Sequence, residues 1–124
     1  MKVIVSITSN FKKEAKPLLK RYKSLAADLA ALEKDLRLNP TWGTPLGNDA
    51  YKIRLKISSK GKGKSGGARV ISYLEIDLIV DLETDGIQTT VNLISIYDKS
   101  ETDSISDKEL KRLIANIKLI ANIK

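Results

Sequence analysis

Lys52, Arg54, Arg69, Tyr97 and Lys99 are the residues of this 124-residue chain whose types and spacing fit a reaction. Lys52, Arg54, Lys56 and Ser58 alternate with Tyr51, Ile53, Leu55 and Ile57, the pattern of a strand with one cationic and one apolar face. Arg69 stands at the start of a second alternating stretch. A turn at Thr84, Asp85 and Gly86 folds a third stretch back, so that Tyr97 and Lys99 return beside Arg69. On one face of adjacent strands these side chains can clamp a phosphodiester, stack a base on Tyr97, and offset the charge that builds on a phosphate in transfer. A solvated sheet face would carry the same residue types.

Charge favours the first of these. Residues 50–74 hold seven basic side chains (Lys52, Arg54, Lys56, Lys60, Lys62, Lys64, Arg69) and no acid, while the chain as a whole has 22 Lys and Arg against 15 Asp and Glu. Removing the segment leaves 22 − 7 = 15 basic residues against 15 acids, so the net charge of +7 is the charge of this segment. A local excess of that size marks a polyanion partner, nucleic acid first among them.

Composition narrows the chemistry further. With no histidine there is no Ser-His-Asp or Cys-His nucleophile, no histidine zinc site and no imidazole acid–base pair. With no cysteine there is no disulfide framework. No apolar run approaches a membrane span and the N-terminus lacks a signal-peptide pattern, so a cytoplasmic protein without membrane attachment is expected. Residues 1–124 read as one domain.

The elements that would position the set follow from periodicity. Val3, Val5 and Ile7 mark a buried first strand. Phe11, Ala15, Leu18, Leu19 and Tyr22 form the stripe of a first helix capped by Asn10, with Pro17 either kinking it or marking its true start. Leu25, Leu29, Leu32 and Leu36 form a second stripe capped by Ser24, ended by Asn39 and Pro40. The two helices make a hairpin whose stripes must bury against the sheet. Residues 41–49 read as a loop pinned by Trp42 and Leu46, residues 58–67 as an exposed mobile loop, and residues 100–106 as a polar linker. Asp107 is expected to cap a last helix carrying Leu110, Leu113, Ile114, Ile117 and Ile120. LIANIK occurs twice at the C-terminus with a period of six, which matches helical spacing poorly, and is read as a duplication that adds little.

Two other motifs are set aside. Residues 58–65, SSKGKGKS, lack the first glycine of a phosphate-binding loop and precede a strand where that motif needs a helix, so no nucleotide cofactor is expected. Glu75, Asp77, Asp81 and Glu83 fit acids that keep a hairpin edge from pairing better than a magnesium site, so no metal is expected.

The blocks YKIRLKISSKGKGKSGGARVISYL and LISIYDKSE resemble the RelE superfamily of bacterial toxins, most closely its HigB-like branch. FKKEAKPLLKRYKSLAADLAAL and NPTWGTPLG are similar more loosely, so the likeness runs over residues 11–113. It implies an α+β RelE-like fold: a small, mainly antiparallel four-stranded sheet, an N-terminal two-helix hairpin packed on one face, and a C-terminal helix. It also implies the toxin of a type II toxin–antitoxin pair, a ribosome-dependent endoribonuclease that cuts mRNA through attack of the ribose 2′-hydroxyl on the adjacent phosphate. By the resemblance, Lys52 and Arg54 match the basic strand pair at the scissile phosphate, with Lys52 or its neighbour as base. Arg69 matches a transition-state clamp, and Lys99 falls where the family often has an arginine acting on the leaving 5′-oxygen, a substitution that forfeits the planar fork. Ile105 falls near a tyrosine of some members, a role open to Tyr97. Lys56, Lys60, Lys62, Lys64 and Tyr73 are then RNA contacts, and the implied partners are the ribosome, mRNA and a cognate antitoxin presenting an acidic or helix-forming segment. Two other functions fit the same residues: a non-catalytic gyrase inhibitor like the ParE branch, and a plain RNA-binding module.

Overall fold

The computed structural model describes residues 2–60, 67–79, 86–102 and 104–123, with the side chains of 79 and 120–123 excepted. The chain is α+β. Strand β1 (Lys2–Ile7) leads into helices α1 (Ser9–Arg21) and α2 (Leu25–Leu38). Strands β2 (Thr44–Gly47) and β3 (Ala50–Leu55) follow, then a single 3₁₀ turn (Ser58–Lys60), strands β4 (Ala68–Ile79) and β5 (Gly86–Asp98), and helix α3 (Asp107–Ile123). The strands form one five-stranded mixed sheet in the order β1-β5-β4-β3-β2, with β1 parallel to β5 and the other pairs antiparallel. The expected four-stranded sheet is therefore corrected to five.

The extra strand comes from the stretch read as a loop. Thr44 and Pro45 pair with Lys52 and Tyr51, and Asn48 and Asp49 both take positive φ (55° and 63°), the backbone of a tight hairpin turn. Asn and Asp tolerate that region far better than most residues. Gly43, at φ +114, sits so close to the Lys52 carbonyl that a Cβ there would be 2.7 Å from its oxygen. β1, expected to be buried, is instead an edge strand of intermediate burial, with Ile7 49% exposed.

Each face of the sheet carries its own core. Phe11, Ala15 and Leu18 of α1 and Leu25, Leu32 and Leu36 of α2 pack with Ile53, Val70, Val91 and Ile96 on one side. Leu110, Leu113 and Ile114 of α3 pack with Ala50, Ile71, Tyr73, Ile94 and Tyr97 on the other. Strand alternation delivers residues to the two cores, and one irregularity changes the phase. Ile71 pairs with Ser95 but Ser72 pairs with Leu93, so β5 bulges at Ile94. Glu14 of α1 locks that bulge, accepting from the Ser95 hydroxyl at 2.7 Å and the Asn10 side-chain amide at 2.8 Å.

Helix ends differ from expectation by a residue or two. Thr8, not Asn10, caps α1, its hydroxyl accepting from the Phe11 amide at 3.2 Å, and the helix runs through Pro17. Ser24 precedes α2 without making a side-chain cap; its hydroxyl instead donates to Asp28 at 2.8 Å. Ser106 rather than Asp107 caps α3, accepting from the Glu109 amide at 3.1 Å. Both copies of LIANIK up to Ile123 are helical: the first buries Leu113 and Ile114, and the second starts at Leu119, which is 60% exposed. Among the described residues no helix is long and apolar enough to cross a membrane.

Candidate nucleic-acid interface

Strand register brings the expected cationic residues together. Arg54 lies directly opposite Arg69 across β3 and β4, and Arg69 lies directly opposite Tyr97 across β4 and β5. Directly opposed residues share a face, with Cβ atoms about 5 Å apart. Lys52, two residues before Arg54, joins the same face opposite Ile71. The result is a transverse row, Arg54, Arg69, Tyr97, with Lys52 beside it, on the side of the sheet that α3 partly covers.

The members of the row differ in access. Arg54 is exposed and Lys52 half-buried, whereas Arg69 is only 5% exposed and donates from Nη1 to the Ala68 carbonyl at 3.1 Å. Arg69 is thus anchored to the backbone beside the exposed Arg54. Gly67 sets the entry of β4 into this row: any Cβ there would strike the Leu55 carbonyl oxygen. Lys99 follows β5 directly, half-buried, its amide donating to the Gly67 carbonyl at 3.0 Å, so it stands at the same end of the sheet.

Tyr97 and Tyr73 do not present rings for stacking. They are 8% and 7% exposed and belong to the core beneath α3. Ile105, which stands near the position of a tyrosine in the resemblance, packs against that same core. Burial pushes the Tyr97 phenol above its ordinary pKa, against the charge of Arg69. Its hydroxyl has no partner of ordinary hydrogen-bond geometry among the described residues; the Ile105 amide influences it without meeting that geometry. The base-stacking role expected of Tyr97 and the RNA contact expected of Tyr73 are corrected to packing, because the α3 side needs large apolar rings to fill it.

Lys60 is also corrected. It does not overhang the sheet: Nζ donates to Asp98 Oδ1 at 2.9 Å, with its side chain 13% exposed and that of Asp98 fully buried. Asp98 also accepts from the Tyr22 hydroxyl at 2.5 Å, the Ser100 amide at 2.9 Å and the Ser100 hydroxyl at 2.7 Å. Burial alone would raise this carboxyl, but the bonds from Lys60, Tyr22 and Ser100 hold it well below the usual carboxylate range. Lys60 further lies 5.3 Å from the centre of the Tyr22 ring. Arg21 pairs with Glu101 beside this cluster. Asp98 thereby ties the end of β5 to α1 and to the 3₁₀ turn, directly next to Tyr97 and Lys99.

Sequence reasoning passed over Asp98, although a signal was present. Asp98-Lys99-Ser100 is the spacing of a turn in which an aspartate accepts from the amide two residues on. Lys56 is exposed just past β3, near enough to Asp28 for its charge to help lower that carboxyl; burial opposes the shift, and the Ser58 and Ser24 bonds drive it. Lys62 and Lys64 lie outside the described residues, as do Asp81, Glu83 and most of the expected turn at 84–86. Two clefts lie elsewhere. One of about 420 Å³ lies between β1, the start of α1 and α3, and one of about 510 Å³ lies beside Asp49, Tyr73, Glu75, Asp77 and Lys118. Of the cationic set, Arg54 is exposed and Lys52 and Lys99 are half-buried, so these are the side chains that a strand of nucleic acid would meet first. No protein-family model matches the chain.

Proposed function

We propose that this chain is the toxin of a type II toxin–antitoxin pair, with a RelE-like fold of the HigB-like kind, and that it arrests translation by cutting mRNA on the ribosome. The observation that carries the reading is the direct opposition of Arg54 and Arg69, with Lys52 on the same face. Two arginines and a lysine share one small area of sheet face there. Basic side chains set directly opposite one another on one face offer a bridging phosphate charge-assisted donors from two strands.

The chemistry assigned to these residues needs no cofactor. The ribose 2′-oxygen attacks the adjacent phosphorus, the P–O2′ bond forms and the P–O5′ bond breaks. Lys52 or its neighbour takes the 2′-hydroxyl proton, Arg54 grips the phosphate, and Arg69, already fixed by the Ala68 carbonyl, donates to the oxygens as charge builds on them. Lys99 is the group assigned to the leaving 5′-oxygen. Tyr97 serves this scheme by supporting Arg69 from the neighbouring strand, not by stacking a base.

The cytoplasm, where ribosome and mRNA are found, is the proposed location, and a cognate antitoxin is the proposed silencing partner. Induction of the wild-type gene, followed by primer extension on translated messages, tests the reading. Codon-phased cuts support it, whereas intact messages with DNA damage favour a gyrase inhibitor and no toxicity at all favours a simple RNA-binding module.

A further inference from the structure

The far end of the β4–β5 ribbon has a different chemistry from the cationic row. Arg69 and Ile76 are seven residues apart on β4, a separation of roughly 23 Å along a strand. β3 covers β4 only as far as Tyr73, opposite Ala50. The Leu74 amide then donates to the Asp49 carbonyl at 2.9 Å, so Leu74 points its backbone groups away from β5. Strand alternation directs the amide and carbonyl of Ile76 and Leu78 the same way, and among the described residues nothing pairs with them. Their side chains are 68% and 76% exposed, and Ile87, opposite Leu78, is 49% exposed. The other face of the same edge presents Glu75 and Asp77, which with Asp49 and Lys118 line the cleft of about 510 Å³.

We propose that the outer edge of β4 at Ile76 and Leu78 binds an extended peptide segment, supplied by a partner protein, whose side chains alternate apolar and basic. The segment adds as a strand in line with β3, exchanging hydrogen bonds with the outward groups of Ile76 and Leu78. Its apolar side chains cover Ile76 and Leu78, while its lysines or arginines enter the cleft beside Glu75 and Asp77. Charge selects this occupant over two others. A second copy pairing through the same edge would set Glu75 and Asp77 against their own equivalents, and like charges directly opposed are destabilising. A nucleic acid strand would meet the same two carboxylates. The inference does not depend on the RNA reading, because it uses no residue of the cationic row.

The probe is a capped eight-residue peptide of alternating valine and lysine, added to the isotope-labelled full chain, with a valine–glutamate peptide as its counterpart. Hydrogen exchange read by NMR should show the Ile76 and Leu78 amides slowed at least tenfold by the valine–lysine peptide, with amides of the Arg54–Arg69 row unchanged. The double variant Glu75→Lys with Asp77→Lys should lose that peptide by about tenfold or more and gain the valine–glutamate peptide. Binding that leaves the Ile76 and Leu78 amides unprotected overturns the proposal, as does equal binding of both peptides by the wild-type chain. Protection of the same amides by raised protein concentration alone assigns the edge to a second copy and overturns the occupant. The wild-type exchange measurement decides the matter even where the double variant fails to fold.

Discussion

Lys60 Nζ and Asp98 Oδ1 stand 2.9 Å apart, joining residues 38 positions apart in a contact almost closed to water. Removing one member of a buried pair leaves the other charge without compensation, at a cost of about 3–5 kcal/mol. Asp98→Ala should therefore lower unfolding free energy by about that amount in urea titration. Lys60→Ala should cost less, because Tyr22 and Ser100 still donate to the carboxylate.

The same pair sets a pH dependence whose sign follows from its direction. Folded Asp98 is held below its ordinary value, and an unfolded aspartate titrates near about 3.9. Its contribution is therefore whole above roughly pH 5 and is lost as pH falls through the folded value. Lys60 is raised, chiefly by its bond to Asp98, so its contribution is whole below the unfolded lysine value of about 10.4 and lost as pH rises past it. Stability of the wild-type chain should fall on acidification, with Asp98 contributing at most about 1.4 kcal/mol per pH unit. In an Asp98→Asn chain the acid limb should be shallower by that contribution, and calorimetry from pH 7 to pH 3 reads the difference.

Tyr97→Phe separates packing from chemistry. The hydroxyl is buried without a well-formed hydrogen bond among the described residues, so its removal should change stability by less than about 1 kcal/mol. Growth arrest on induction should also survive, since the ring that packs beneath α3 is kept. Loss of toxicity in a stably folded Tyr97→Phe chain would return Tyr97 to the catalytic group.

What the sequence made legible was the part governed by period two. Lys52 and Arg54, the return of Tyr97 to Arg69, and the apolar stripes Phe11 to Tyr22 and Leu25 to Leu36 follow from alternation or helical spacing and meet where those patterns place them, except that Leu19 of the first stripe is 42% exposed. The failures have local physical causes. Parity says which face Tyr97 shares but not that α3 covers that face, so the ring was read as accessible. Lys60 looks in sequence like the other loop lysines, because nothing in its neighbourhood shows that a buried aspartate 38 residues away captures it. β2 was missed because Gly43, Pro45 and Gly47 read as turn residues, although the Asn48-Asp49 pair was the hairpin signal.

RNA affinity should report the row through its salt dependence. Contact with about five phosphates of single-stranded RNA gives a slope of log K against log salt of roughly −3.5. Lys52→Ala with Arg54→Ala should flatten it by roughly 1.4, two phosphates' share. An unchanged slope would place the RNA path away from β3.

The central claim rests on Arg69 and its opposite number. Arg54→Ala, Arg69→Ala and the double variant, each checked for folding by circular dichroism, should be induced in cells and their messages mapped by primer extension. The account predicts codon-phased cleavage by the wild-type chain, with at least a hundredfold loss in the double variant at unchanged fold. Undiminished phased cleavage by a folded double variant would contradict it.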